Sequence, residues 1–431
     1  MLKTLREDGF DVTLFERRSR VGGLWSYTDD KSMTTALPKY PPFLSQGQFE
    51  EYMESYAENF DLYKHIVFNA RVDQVVRSRD ESKWQVEMVR SGAPETKEFD
   101  KVVFCHGYQT KKKMPIYEGQ AKFEGTIIHS QQFRKQVSLF IQSKFPNLTN
   151  KLAQLATGLL MRQYGKIDPS FRLLDDVAPL SLHLAGCMDT VLELLREGKV
   201  TSMHGIKRFT GPKSIEFQDG TILDDVDSVI LCTGYKADFD PIPFLETSKP
   251  KTDLAGNAYG GPPLQRLYMN IFPPAHWDSI AVLAYSAFGK NNGFSFSDVT
   301  SMAISNVWRG VSSDMIPPRA EMDRAIDKHH QWVAGRWFKE PRTDTSAVKQ
   351  WEFQGFLHKA AGTGMENLGW GWRGWVSWFK DPYMCYLINH GVETAHAFRY
   401  FETGKRRTWD GARDAIIHIN KIVKQLKASR K

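Results

Sequence analysis

Apolar and polar positions along this chain switch between a helical period and a period of two, and the first switch comes within its opening residues. Leu2 to Gly9 places Leu2 and Leu5 at helical spacing and stops at glycine, which predicts a short helix. Phe10 to Phe15 alternates and predicts a strand, with Glu16 at its tip. Gln48 to Asp61, rich in aromatic and acidic residues at helical spacing, predicts a second helix. Two later stretches echo each other: Phe99 to Tyr108 (FDKVVFCHGY) and Val226 to Tyr235 (VDSVILCTGY). Each ends a β-meander, the first following Trp84 to Val89 and the second a hairpin turning at Asp219-Gly220. Each runs from an acid through a continuous apolar strand to a glycine. Such strands suit a parallel sheet covered on both faces, and glycine just past the strand end lets a ligand approach the backbone.

The matched length and flanking Asp favour duplication over a chance recurrence of strand plus glycine. The predicted fold class is therefore α/β, with two Rossmann-like nucleotide-binding domains. Where a strand, a glycine loop and a helix hold a dinucleotide, an acid roughly 20 residues past the glycines hydrogen-bonds the ribose. Glu16 fits that acid, but only 15 residues precede it. The expectation is that the first strand and its phosphate loop would lie before Met1. A second loop should stand between Phe133 and Lys213, yet Thr126 to Thr157 holds no glycine. There Val137 to Ile141 runs into Pro146 and a stretch with Leu148, Leu152, Leu155 and Leu159 at helical period. Both nucleotide domains are thus expected to be incomplete. One literal G-x-G-x-x-G occurs at Gly369, Gly371 and Gly374, with Trp370 and Trp372 in its spaces and no apolar strand before it. Phosphate binding needs glycines after a strand and at a helix N-terminus, so this match is read as coincidence.

From Pro317 onward the chain changes character and carries eight of the twelve tryptophans, among them Trp370, Trp372, Trp375 and Trp378. A mainly helical, aromatic-rich extension is expected, either as a lid over an apolar substrate or as a packing layer burying large rings; the packing layer is favoured. Asp410 to Leu426, with Ala412, Ala415, Ile416, Ile419, Ile422 and Val423, predicts an amphipathic helix that docks on the core or on another subunit of a homo-oligomer.

Composition then narrows the class. The chain has 431 residues, 41% hydrophobic and 25% charged, enough for two or three buried cores. No uncharged run reaches the roughly 18 residues of a spanning helix, and Met1 to Asp11 lacks the apolar stretch of a signal peptide, so a cytoplasmic location is the default expectation. A net charge of +7 raises the question of nucleic acid, but Lys and Arg are dispersed among acids. Lys111 to Lys113 reads as a solvated turn before Met114-Pro115, and no nucleic-acid partner is expected. The excess positive charge could equally help capture an anionic cofactor. Cys105, Cys187, Cys232 and Cys385 are too widely spaced for a zinc motif and read as buried thiols. His329-His330 are adjacent on a predicted helix and point in different directions, so no metal site is expected.

At this point the residues carry a resemblance. Glu16, Arg17 to Val21 and then Gly22-Gly23-Leu24-Trp25 resemble the E-x5-GG-x-W element of flavin-containing monooxygenases. Phe123, Gly125, His129, Phe133 and Arg134 fit that family's fingerprint F-x-G-x-x-x-H-x-x-x-[Y/F]-[K/R], and Cys232-Thr233-Gly234-Tyr235 resembles its returning strand. The resemblance covers residues 1 to about 310 and implies FAD and NADPH as cofactors. Glu16 would hold the adenosine ribose, Gly22 and Gly23 would allow close approach of the flavin half, and Leu24 and Trp25 would pack against it. Val72 resembles the backbone position that recognises adenine, and Thr233-Gly234 would lie near the flavin pyrophosphate. His129 is assigned to the junction of the two nucleotide domains rather than to proton transfer. Phe133, where Baeyer–Villiger relatives carry tryptophan, points to the branch that oxygenates nitrogen or sulfur. The implied reaction transfers one atom of molecular oxygen from a C4a-hydroperoxyflavin to a small nucleophilic substrate; no catalytic side chain is assigned, since the cofactor carries the chemistry.

The resemblance also divides the chain: 1–134 as the first part of an FAD-binding domain, 135–240 as the remnant of an NADP-binding domain, 241–316 as the return to the first, and 317–431 as the helical extension. Met33 to Pro42 looks shortened where an asparagine usually stands beside the flavin. Missing exons, splicing or a faulty gene model would explain three clean losses in otherwise well-kept sequence. Two other classes stay open: a non-catalytic scaffold of the same family unable to hold FAD, and a Baeyer–Villiger enzyme. A disulfide reductase is disfavoured because no Cys-x-x-Cys or Cys-x4-Cys pair exists.

Overall fold

The computed structural model describes residues 1–23, 46–107, 111–112, 115–124, 126–129, 168–172, 191–231, 233, 235–236, 238–283, 293–341, 343–369 and 371–428. The chain opens with α1 (Leu2–Glu7). The predicted strand after it forms only at its end, as β1 (Leu14–Phe15), because Phe10 still closes the helix by donating its N–H to the Leu5 carbonyl. Past α2 (Gln46–Asn59), the strand β2 (Ile66–Val67) lies parallel to β1, Leu14 beside Ile66 and Phe15 beside Val67. A meander follows: β3 (Ala70–Arg77), β4 (Trp84–Arg90) and β5 (Ala93–Phe99). Its second hairpin turns on Ser91-Gly92, both at positive φ, the mirror-image turn whose twist matches antiparallel strands. Strand β4 buries Trp84, Val86 and Met88 at period two.

The first echo becomes β6 (Val102–Phe104). The chain then enters a second unit through β7 (Lys111–Lys112) and β8 (Thr126–His129), and after α3 (Val191–Arg196) runs through β9 (Ile206–Gly211), β10 (Ser214–Phe217) and β11 (Ile222–Leu223). The second echo becomes β12 (Ser228–Leu231), followed by β13 (Tyr235–Lys236). Strands β8 and β12 pair in parallel, while β9, β10 and β11 form an antiparallel sheet. The basic run expected as a solvated turn is instead ladder: Lys111 and Lys112 pair antiparallel with β13. Beyond β14 (Thr247–Ser248) and β15 (Leu264–Gln265), β16 (Ile280–Val282) returns to lie parallel to β6, Val102 beside Ile280 and Phe104 beside Val282. Both echoes therefore end in parallel pairs of separate sheets, and the second unit is threaded between β6 and its partner.

The rest is helical among the described residues: α4 (Gly293–Trp308), α5 (Arg319–Lys339), α6 (Gln350–Ala361), α7 (Trp372–Lys380), α8 (Pro382–His390) and α9 (Ala412–Ala428). Val299, Met302, Ala303 and Ile304 of α4 pack in one core with Phe353, Phe356 and Leu357 of α6 and with Ile416 of α9. A second core joins Trp84, Val86 and Met88 to Phe104, Ile280 and Val282, seating the meander on the β6–β16 pair. A third holds the second unit, where the Phe123 ring lies tilted against Phe209 with ring centres 4.9 Å apart. Gly119, at φ +75°, is required there: a Cβ would stand 2.0 Å from the Phe209 carbonyl oxygen.

The extension is fastened to the opening helix. Asp8 accepts a hydrogen bond from the Ser305 hydroxyl of α4, lies 3.0 Å from Arg309 just past that helix and pairs at 2.9 Å with Arg406, almost 400 residues away in sequence. Arg399 makes two bonds to Asp298 of α4, at 2.6 and 3.0 Å. On α5, His330 does not act with His329; its Nδ1 lies 3.0 Å from the Ser248 hydroxyl and its Nε2 3.2 Å from the Gln265 carbonyl, holding α5 to β14 and β15.

Two expectations are corrected. The favoured packing layer does not account for Trp372 and Trp375, which are 81% and 49% exposed because α7 buries only Gly374. Cys385 is buried, but Cys105 is exposed, since β6 ends at Phe104 and the chain leaves the sheet there. Trp370, Cys187, Cys232 and Met33 to Pro42 lie outside the described residues. Around Gly369, Gly371 and Gly374 a 3-10 turn (Met365–Leu368), not a strand, precedes the helix. Gly374 packs against the Gly369 carbonyl, where a Cβ would clash, so this glycine serves a close backbone approach. No described helix is long and apolar enough to cross a membrane.

Candidate functional site

Glu16 leaves β1 with its backbone fixed on both sides: its N–H donates to the Val67 carbonyl at 3.0 Å and its own carbonyl accepts from Ala70 at 2.9 Å. Its carboxylate turns back on the chain, one oxygen accepting the Arg18 N–H at 2.9 Å. The Arg18 carbonyl in turn accepts from Asn69, at φ +55° where the chain enters β3. These bonds bring Glu16 and Val72, 56 positions apart, to one end of the β1–β2 pair. A carboxylate offers about four acceptor sites. One backbone bond therefore leaves Glu16 able to accept from two vicinal hydroxyls.

The chain next coils through Arg17 to Val21 into Gly22 and Gly23, at φ +115° and +54°. Both conformations are ones L side chains adopt rarely, which explains the glycine pair. Space beside Gly23 is open, since a Cβ there would meet nothing within 4 Å. Leu24 and Trp25 lie outside the described residues.

At the tip of β6 the chain turns at Gly107, φ +80°, the glycine of the first echo. His106 beside it faces the Asp238 carbonyl through Nε2 and sits edge-on to Phe104 and Phe239. Its Nδ1 is buried without a hydrogen-bond partner in the structure, and burial lowers its pKa. The Met1 amine lies in the same region and is also held down by burial. Sequence patterning quoted His106 within the echo and gave it no role; the signal was its place just before the glycine.

In the second unit, Thr233 lies two residues past the point where Leu231 pairs with His129, so β8 and β12 end side by side. The β7–β13 ladder, Lys112 opposite Tyr235, then joins this end to the segment that follows Gly107. The structure thus groups Glu16 with Val72, and His129 with Thr233. Phe123 belongs to the core of the second unit. Gly125, Phe133, Arg134 and Gly234 lie outside the described residues.

Of the two ends of FAD that a protein must grip, this arrangement suits one. The ribose end fits: a carboxylate with spare acceptor capacity stands at a parallel strand tip, next to a left-handed glycine pair with open space. For the pyrophosphate, a strand, glycine loop and helix N-terminus are needed. Among the described residues no such sequence of elements occurs. Likewise no cluster of metal-ligating side chains occurs among them.

Comparison with known proteins supplies the lineage. The family model for flavin-binding monooxygenase-like proteins matches residues 35–145 and 187–431. Monooxygenase aurF of Gibberella zeae is 28% identical, over 97% of this chain and 94% of its own length. That alignment runs to 510 positions, more than the chain's 431 residues, so it contains positions at which this chain has no residue. Dimethylaniline monooxygenase [N-oxide-forming] 4 of Oryctolagus cuniculus is 24% identical, over 96% of this chain and 85% of its own. Among solved structures, S-allyl-L-cysteine S-oxygenase from Allium sativum superposes with a TM-score of 0.52 at 18% identity, covering 98% of this chain and 94% of that one. An open cyclohexanone monooxygenase reaches 0.55 at 14% identity, covering 84% and 94%. These two likenesses establish a shared α/β architecture. Matched over most of its length, the chain belongs to the flavin-binding monooxygenase-like family, a family of enzymes that use FAD and NADPH.

Proposed function

We propose that this protein is an FAD- and NADPH-dependent monooxygenase that places one oxygen atom on a nucleophilic nitrogen or sulfur of a small organic substrate. The observation that carries the proposal is the Glu16 turn: an acid with acceptor capacity to spare, pinned between β2 and β3, followed by a glycine pair held in left-handed geometry. Glu16 binds the ribose hydroxyls of FAD, and the backbone at Val72 meets adenine. Gly22 and Gly23 let the chain pass close to the flavin half. Thr233 and Gly234 border the pyrophosphate side, and His129 with the β7–β13 ladder sets the placement of the two nucleotide units. FAD, when bound, supplies the activation of oxygen. The protein's part is to orient both nucleotides and keep water out, which needs no nucleophilic serine or paired carboxylates. Preference for nitrogen or sulfur rests on Phe133 in the fingerprint and on the N-oxide-forming relatives.

A second reading, a family scaffold that holds no flavin, is favoured by one observation: among the described residues the β1–β2 and β6–β16 pairs are separate two-stranded sheets. The test supplies purified protein with FAD, NADPH and isotopically labelled oxygen, and offers N,N-dimethylaniline and a thioether. Label in an N-oxide or sulfoxide, in step with NADPH consumed, is expected. A folded protein that consumes NADPH no faster than free FAD does would overturn the enzymatic reading and establish the scaffold.

A further inference from the structure

The most exposed large aromatic rings of the described chain lie close together in sequence. On α7, Trp372, Trp375 and Phe379 are 81%, 49% and 85% exposed. At 100° per residue these positions fall within an arc of about 60°, opposite buried Gly374, so they form one face of the helix. On α8, directly after the Asp381 cap, Tyr383 and Tyr386 are 53% and 56% exposed, while Met384, Cys385 and Leu387 turn inward. This is a surface of Trp, Phe and Tyr, rings with an apolar body that favour the boundary between water and lipid.

The charge around it has one sign in excess. Residues 371–428 hold ten Lys and Arg against five Asp and Glu. Arg373 and Lys380 on α7 are exposed, as are Lys421 and Lys424 on α9, which packs on α8. Three of the ten bases are engaged by acids, Arg399 by Asp298, Arg406 by Asp8 and Arg413 by Asp381, which leaves seven Lys and Arg against four acids. A helix with aromatic rings on one side and basic residues at its flanks matches an interfacial anchor for an anionic bilayer, and nine residues are too few to span one.

We infer that the α7–α8 face docks this protein on anionic lipid membrane surfaces, with Trp372, Trp375 and Phe379 entering the headgroup region and the surrounding Lys and Arg meeting lipid phosphates and carboxylates. The inference rests on this surface alone and stands whether or not the protein turns over substrate.

The full chain is sedimented with vesicles of equimolar phosphatidylcholine and phosphatidylserine, and separately with pure phosphatidylcholine. Preferential binding to the anionic vesicles, weakened by salt, is expected. The variant Trp372→Ser, Trp375→Ser, Phe379→Ser should lose about tenfold or more in partitioning while keeping the native far-ultraviolet circular dichroism spectrum, because Trp372 and Phe379 are 81% and 85% exposed. The charge variant Lys380→Glu, Lys421→Glu, Lys424→Glu should lose the anionic preference independently. Failure of the native protein to bind anionic vesicles would overturn the inference, as would equal binding by the aromatic variant. Sedimentation velocity provides the contrasting outcome: a concentration-dependent dimer abolished by the aromatic substitutions, without vesicle binding, would assign the face to a second copy of the chain.

Discussion

Replacing Asp8 with alanine is expected to lower the stability of the fold by about 3–5 kcal/mol, the cost of stranding one member of a buried ion pair. Asp8 and Arg406 have side chains only 9% and 7% exposed, so the orphaned guanidinium cannot recover water cheaply. Arg309, 33% exposed, can turn toward solvent and adds little. Ser305 loses its acceptor as well. Urea denaturation followed by tryptophan fluorescence should show an earlier midpoint. Asp8→Asn should fall between native and alanine, because the amide can still accept from Ser305 while the charge is gone. Removing both charges together, as Asp8→Leu with Arg406→Met, should cost less than Asp8→Ala alone. If the double variant is instead the weaker, the clamp holds the two ends together by attraction rather than by avoiding an unpaired charge.

Trp84→Ala should cost a similar amount, about 3–5 kcal/mol, by opening a cavity in the core under the meander. Trp84 is 0% exposed, with Phe244 at 4.6 Å and His276 edge-on at 5.0 Å between ring centres, and the Arg77 guanidinium 4.7 Å from its face. Its indole N–H is buried without a partner, a standing cost that the native packing offsets. Trp84→Phe keeps much of the volume and removes that orphan donor, so its loss should be well under half that of alanine. The same core holds Phe104, Ile280 and Val282, with Phe15 and Val67 packed against it, so the alanine variant should also loosen the strand tips that carry Glu16 and His106. Equal losses for Phe and Ala would show that the indole nitrogen matters more than the cavity.

The parts of the fold legible in the sequence are those with local signatures. The two echoed strands announced themselves by continuous apolar character before a glycine, and both form parallel pairs. The glycine pair after Glu16 was legible because glycine is the residue that positive φ demands. Strand length was less so: Phe10 to Phe15 alternates throughout, yet the hydrogen bond from Phe10 back to Leu5 keeps the start of that stretch with the helix. What the sequence hid depends on distant partners. Nothing near Asp8 hints at Arg406, and nothing near His330 hints at Ser248 or Gln265. The tryptophans after Pro317 were visible as a count, but which of them face solvent depends on which side of α7 packs inward, the side that buries Gly374. Lys111 and Lys112 read as a turn because their partner strand lies more than 120 residues away.

The central claim is that the turn from Glu16 to Gly23 is one end of a flavin site, and an equilibrium titration of the flavin-free protein with FAD, read by quenching of flavin fluorescence, addresses it most directly. Saturable one-to-one binding is predicted, weakened about tenfold in Glu16→Ala by the loss of a charge-assisted hydrogen bond to ribose. Fluorescence that stays unquenched in folded native protein, or affinity that does not change with Glu16, would contradict it.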